Sequence, residues 1–346
     1  MAQPTHLHPR YLITSAAGLF AVVVVAVVVV AVLIGAVDLG PGRVFSELWA
    51  QLAGGMSPLS ATESSILWEL RMPRVVLGIL VGAVLATCGA AFQGVFRNPL
   101  ADPYLLGAAA GAGLGATHMI VLVASDALPV DPIPAGAFLG ALLGVGLAWM
   151  VSQSAGSGPG VLVLAGAAVT AFLSAVQLAL QTANPDRLRA IYSFILGSLG
   201  TPGWATVAET AAYVGVSCGA LASYGRLLDV LSLGDAEAAT LGVRPGRARL
   251  LIVIAASLGT AAAVAVSGLI AFVGLVVPHL VRLVLGGSYR VILPVSLMVG
   301  GVFLVAADLL ARTVIAPAEL PVGVVTAFVG GPFFAILLRR TKAVST

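Results

Sequence analysis

The chain has 346 residues, of which 60% are hydrophobic and only 9% charged, with a net charge of +3. Soluble domains carry about 25% charged residues, and a mean hydropathy of +1.09 lies far beyond what a water-soluble core requires. A soluble fold is excluded, nothing points to a nucleic-acid partner, and the isolated Cys88 and Cys218 argue against a disulfide framework or a cysteine metal site.

In chain order, the apolar run Tyr11–Val37 is longer than the roughly 7–15 residues of a signal-peptide core. It reads as a retained first span behind a tail, 1–11. The apolar runs predict ten spans: 12–37, 69–94, 104–124, 134–153, 160–183, 205–225, 247–267, 270–285, 291–311 and 322–339. They are expected to be helical, because lipid offers backbone groups no partners and barrel-type alternation is absent. The fold class is therefore an all-α integral membrane protein of about ten transmembrane helices, a single polytopic domain with its bundle over 12–339. The longest gaps, 38–68 and 184–204, leave no room for a soluble domain. The chain holds 41 glycines, concentrated with alanine in the spans, which suits close helix approach.

Orientation follows from the positive residues. With the N-terminus inside, the cytoplasmic side holds 11 of them, among them Arg10, Arg97, Arg226, Arg244, Arg247, Arg249, Arg282 and Arg290. The outside holds 6, Arg43, Arg71, Arg74, Arg187, Arg189 and Arg312. Both termini, including the tail 340–346, are expected in the cytoplasm.

Three places call for explanation. At the outer mouth of the second span, LRMPR places Arg71 and Arg74, and Arg312 lies four residues after Asp308 at the outer end of span nine. They read either as snorkelling and an internal ion pair or as a cationic rim for a partner's carboxylates. In span five, Thr170, Ser174, Gln177, Gln181 and Asn184 are spaced 4, 3, 4 and 3 apart and share one helical face. Such a stripe is either interhelical glue or, the preferred reading over four turns, the wall of a water-accessible path.

The third place is SLGDAEAATLGVRPGRAR, 232–249, the longest polar stretch inside the apolar chain. Ser232 is expected as an N-cap with Asp235 three residues on, Gly242 as a left-handed terminator and Pro245 as a stop, bounding a helix of about nine residues. Ala236, Ala238 and Ala239 make it slim. It either docks in another protein's cleft or is a solvated connector. His279 stands alone among apolar residues, where a structural hydrogen bond is favoured over metal ligation. His6 and His8 belong to the tail. Asn98 and Asp102, beside Pro99 and Pro103, read as turn chemistry.

The stretches GAAFQGVFRNPLADPYLLGAAAGAGLGA, GDAEAATLGV, SGLIAFVGLVVPHLVRL and APAELPVGVVTAFVGGPFF, in this order, resemble the FecCD-type permease subunits of binding-protein-dependent ABC importers for iron–siderophores, haem and cobalamin. The resemblance implies a type II importer permease fold in the cytoplasmic membrane of a prokaryote, with two such subunits, a homodimer or paired paralogues, around one path. It also implies two cytoplasmic ATPase subunits that carry ATP and magnesium, an extracytoplasmic substrate-binding protein, and no cofactor or metal on this chain. Segment 228–246 then resembles the ATPase-coupling segment, with Ser232, Gly234, Asp235, Ala236, Glu237, Ala238, Leu241 and Gly242 at the contact. Arg71, Arg74 and Arg312 match positions that meet glutamates of the binding protein, and the fifth helix lines the path. Its inner end, GSGPG, corresponds to the cytoplasmic gate, with Pro159 and Gly160 where the family often has Ser or Thr. Ile195 and Leu196 stand where an aromatic residue is common.

A Walker A loop needs Gly-Lys before Ser or Thr. The single lysine, Lys342, follows Thr341, so the chain is expected not to be an enzyme. An ion-coupled secondary transporter is the rival class, with Asp308 its best-placed carboxylate. A membrane-embedded hydrolase lacks paired acids or a histidine dyad. The expected cargo is an iron chelate, haem or ferric siderophore, with cobalamin as the alternative.

Overall fold

The computed structural model describes residues 22–35, 37–99, 101–122, 131–156 and 159–344, and every regular element among them is helical. The apolar helices are α1 (Val22–Leu33), α3 (Ala61–Phe96), α4 (Ala108–Leu122), α5 (Ile133–Ala155), α6 (Pro159–Ala183), α8 (Trp204–Ser223), α11 (Pro245–Ser267), α12 (Val273–Leu285), α13 (Tyr289–Thr313) and α14 (Val322–Val344). Four others connect them: α2 (Pro41–Ala53), α7 (Leu188–Ile195), α9 (Gly225–Leu233) and α10 (Asp235–Thr240). Each predicted span thus holds an apolar helix. Six are long enough to cross a membrane, namely α3, α5, α6, α8, α11 and α13, while α1, α4, α12 and the apolar part of α14 are shorter. Residues 12–21, 36, 123 and 124 of the expected spans, and the tail with Arg10, His6 and His8, lie outside the described residues.

Helix α3 is the axis of the bundle. It packs against α8, α11, α12 and α13, and its buried face includes Leu77, Val81, Val84, Leu85 and Phe92. It starts on a capping box in which Ser60 Oγ accepts from Glu63 N at 3.3 Å and Glu63 accepts from Ser60 N at 2.9 Å. One turn later the helix widens to π geometry over Ile66–Arg71. The Trp68 carbonyl in this turn accepts from the Trp204 indole at 2.8 Å.

Backbones approach closely where glycines face each other. Gly82 of α3 lies against Gly300 of α13, and Gly89 of α3 against Gly274 of α12. Helices α4 and α5 interlock through Gly111 and Gly115 on one side and Gly136 and Gly140 on the other, spaced by one turn. A Cβ at any of these would strike the opposing carbonyl, so the small residues set the interhelical distance.

Between α11 and α12 the helix breaks over 268–272. Irregular backbone at this depth persists only where protein satisfies it. Tyr104 does so: its hydroxyl donates to Ile270 O at 3.0 Å and accepts from Ile270 N at 3.2 Å. Gln93 Nε2 adds bonds to the carbonyls of Gly274 and Leu275, both at 3.3 Å. Asp102 closes the preceding turn by accepting from Tyr104 N, which is the turn chemistry expected of it. His279 departs from expectation. It is buried, but neither ring nitrogen has a hydrogen-bond partner, and its ring meets Phe333 edge-on at 6.0 Å.

The 38–68 gap between the first two expected spans contains α2 and the first turns of α3. Its Glu47 is fully buried, accepting from Ser57 Oγ, from the Trp68 indole at 3.0 Å and from Gln51 at 3.2 Å.

Gly140→Ala is expected to destabilise the chain by about 1–3 kcal/mol through overpacking, seen as a lower thermal midpoint in detergent. Gly146→Ala, where nothing lies near the added methyl, serves as the neutral control. Tyr104→Phe leaves both Ile270 groups unpaired and is expected to cost about 1–3 kcal/mol in the same assay.

Candidate functional site

One candidate site lies just past the π turn of α3, beside the end of α13. Arg74 grips two carboxylates at once. Its Nε lies 3.1 and 3.2 Å from the Asp308 oxygens and its Nη2 2.9 Å from Oδ1. Nη1 and Nη2 also reach Glu319 at 3.3 and 2.8 Å. Arg312 Nε approaches Asp308 Oδ2 at 3.1 Å, the i,i+4 pair expected from the sequence. Its remaining donors cap α1, reaching Ala31 O at 3.1 Å and Ile34 O at 3.2 Å. Arg71 joins them, donating to Val32 O and Leu33 O at 3.0 Å each and to Val37 O.

The three arginines therefore converge, but not as an open cationic rim. Arg71 and Arg74 are buried, because the last carbonyls of α1 have no partner within their own helix and Asp308 needs neutralising where little water reaches it. Only Glu319 is half-exposed, with 47% of its side chain accessible. Sequence reasoning gave Glu319 no part in this cluster, since nothing local links position 319 to position 74.

At the opposite end of α3, α10 stands out from the bundle. Its stem α9 buries Leu228 and Leu231, and Asp229 fixes the stem by accepting from Ser288 Oγ at 2.9 Å and from Tyr289 N at 2.6 Å. The expected cap differs. Ser232 belongs to α9, where its hydroxyl donates to Asp229 O at 2.6 Å, and the N-cap of α10 is Gly234, with φ 130. A positive φ suits glycine at the sharp turn between α9 and α10, so α10 has 6 residues and not nine. Gly242 terminates it as expected, with φ 79 and the bonds Gly242 N to Ala239 O and Val243 N to Ala238 O, both 3.0 Å.

Asp235 faces back to the bundle. It accepts from Arg249 Nη1 at 2.8 Å and from Nη2, and Arg97 lies 3.4 Å away. The Arg249 hydrogen bonds, with the nearby Arg249 and Arg97 charges, hold its carboxyl below the usual aspartate range. Ala238 and Gly234 are buried, while Ala236, Glu237, Leu241 and Gly242 are exposed. Leu241 presents 61% of its surface, and Leu233 at the end of α9 62%.

The stripe on α6 divides. Gln177 and Gln181 turn into the subunit, and Gln177 Nε2 donates to Thr117 Oγ1 of α4 at 3.1 Å. Thr170 is half-buried with an unpartnered hydroxyl, and Asn184 Nδ2 donates to Leu180 O at 2.8 Å. Ser174, at the edge of the stripe, is exposed. Gln177 thus acts as interhelical glue. Gly160 is exposed in the first turn of α6; the Pro159 side chain and residues 157 and 158 lie outside the described residues.

The FecCD transport family profile matches residues 22–340. The chain is 43% identical to the cobalamin import system permease protein BtuC of Halobacterium salinarum over 80% of this chain and 74% of that one. It is 39% identical to the hemin transport system permease protein HmuU of Yersinia pestis, covering 79% and 83%. It is also 39% identical to the Fe(3+) dicitrate transport system permease protein FecD of Escherichia coli, covering 80% and 86%. A solved inward-facing "metal-chelate type ABC transporter" superposes with a TM-score of 0.80 at 26% identity, over 96% of this chain and all of that one. The chain belongs to the FecCD transport family: it is a multi-pass ABC transporter permease subunit and not itself an enzyme.

Asp308→Asn removes the buried charge that Arg74 and Arg312 share, leaving them only Glu319 and the α1 carbonyls, and is expected to cost about 3 kcal/mol; Glu319→Gln, half in water, should cost well under half as much in the same thermal assay. The Asp235 clamp has a depressed folded pKa, so its contribution is fully present above the ordinary aspartate value of about 3.9 and is lost only as pH falls through the lower folded value. Amide exchange in 235–243 should therefore show no acid-induced loosening at pH 5, and Arg249→Gln should raise it at any pH.

Proposed function

We propose that this FecCD-family chain pairs with a second permease subunit, as a homodimer, and forms the membrane path of a binding-protein-dependent importer for a metal chelate. The observation that carries this reading is α10: a short helix clamped to the bundle by Asp235 and Arg249 while Glu237, Leu241 and Gly242 stand outward. A clamped prong transmits force. A soluble ATPase that seats it, carrying ATP and magnesium on its own residues, can move α9 and the ends of α11 and α13 through these bonds. Ligand-dependent closure of the ATPases then shifts the path between outward and inward openings.

In this reading ten helices span the cytoplasmic membrane of a prokaryote and both termini lie in the cytoplasm. Ser174 and the exposed side of α6 line the path. The outer cluster receives the substrate-binding protein. A partner carboxylate engages Arg74 by replacing Glu319, while Asp308 keeps the guanidinium oriented. Pro159 and Gly160 begin the gate end of α6.

The pairing of Asp308 with both Arg74 and Arg312 supports a motor-driven importer over an ion-coupled one. A proton carrier needs a carboxylate free to change charge. The cargo is an iron chelate, haem or a ferric siderophore. Cobalamin is the second reading, favoured by the 43% identity to the cobalamin permease.

Glu237→Arg combined with Leu241→Asp changes only exposed groups of α10. The pair is expected to leave the thermal midpoint unchanged while lowering ATP-driven uptake in proteoliposomes at least roughly tenfold, the scale of an interface hot spot. Unchanged uptake would refute the coupling assignment. Uptake assayed with haem, ferric citrate and cobalamin in turn, with the cognate binding protein, decides the cargo.

A further inference from the structure

At the end of the bundle that carries α10, a cleft of about 360 Å³ opens between the last turns of α3 and α5 and the first turns of α6 and α11. Its polar end is made by Ser152, Gln153, Arg247 and Arg249. We propose that this cleft binds the phosphate headgroup of an anionic phospholipid.

The charge balance points to an anion. Arg247 is exposed and makes no ion pair or hydrogen bond among the described residues. Arg249 is buried and gives both Nη groups to Asp235, but its Nε has no partner. Among the described residues that line the cleft there is no carboxylate. The 23-residue α11 also begins here, so the positive end of its dipole adds to the two guanidiniums.

The rest of the cleft points to a lipid and not to a free anion. Below the arginines its wall is apolar, with Trp149 and Leu162. Met150 and Val151, next to Trp149 and Ser152 on α5, are exposed. An indole next to guanidiniums at the ends of apolar helices marks headgroup depth, and basic pockets between transmembrane helices take acidic headgroups. An acyl chain leaving the cleft would run along the exposed Met150 and Val151 of α5.

Occupancy bears on α10, because Arg249 belongs to both structures. A phosphate on Nε leaves the two Nη bonds to Asp235 in place and fixes the guanidinium from its free side. Anionic lipid therefore stiffens the clamp. This consequence rests on the coupling role proposed above; the binding itself does not.

The test uses the full purified chain in detergent with equal amounts of phosphatidylglycerol and phosphatidylcholine, read by native mass spectrometry. Preferential retention of phosphatidylglycerol is expected, falling roughly fivefold in Arg247→Gln, the effect of one arginine near a lipid surface. Arg290→Gln, an exposed arginine elsewhere on the same end of the bundle, should leave it unchanged. Trp149→Ala should weaken phosphatidylglycerol retention in a chain that elutes normally. No headgroup preference in the wild type, or equal losses in Arg247→Gln and Arg290→Gln, overturns the proposal. So does displacement of the lipid by millimolar inorganic phosphate, which would make the cleft a free-anion site. Lipid selectivity that survives in the α10 double variant separates this site from the coupling reading.

Discussion

In hydrocarbon every backbone N–H and C=O must find a partner within the protein, and the irregular parts of this fold can be read as answers to that demand. The break at 268–272 is closed by the Tyr104 hydroxyl, the π turn of α3 by the Trp204 indole, and the C-terminal carbonyls of α1 by Arg71 and Arg312. Each solution comes from a residue distant in sequence. The bundle is therefore held together by the same bonds that permit its irregular segments. Where the backbone is regular the constraint relaxes, and packing takes over through facing glycines on α3, α4, α5, α12 and α13.

The two ends of the bundle use charge differently. At the Arg74 end three guanidiniums and Asp308 are folded inward, Glu319 stays half-exposed, and the surplus positive charge is spread over helix carbonyls. A buried pair such as Arg74 and Asp308 adds little net stability, yet it is costly to break and so fixes geometry. At the other end Asp235 is shared between Arg249 and Arg97 in partial contact with water. That clamp orients α10 while leaving its far face exposed.

The relatives import cobalamin, haem and ferric dicitrate by name, at 43%, 39% and 39% identity. Such even similarity across chemically different cargoes fits the proposal that the path itself does not select the cargo. In the proposed importer, selection of the cargo rests with the binding protein that delivers it.

Composition alone determined that this is a helical membrane protein, because long apolar runs have one stable form in lipid, and four ordered motifs carried the family. The protruding segment after α9 was also legible, since Gly242 and Pro245 terminate and restart helices by local backbone chemistry. Its true start at Gly234 was not, as choosing between Ser232 and Gly234 depends on how α9 packs. Spacing placed Gln177 on a polar face but not toward Thr117, because periodicity gives the direction of a face and not its neighbour. Glu319 at Arg74, and Arg71 on the end of α1, were decided by the tertiary structure alone: their partners lie tens to hundreds of residues away, and only the packed helices bring those charges and carbonyls within hydrogen-bond reach.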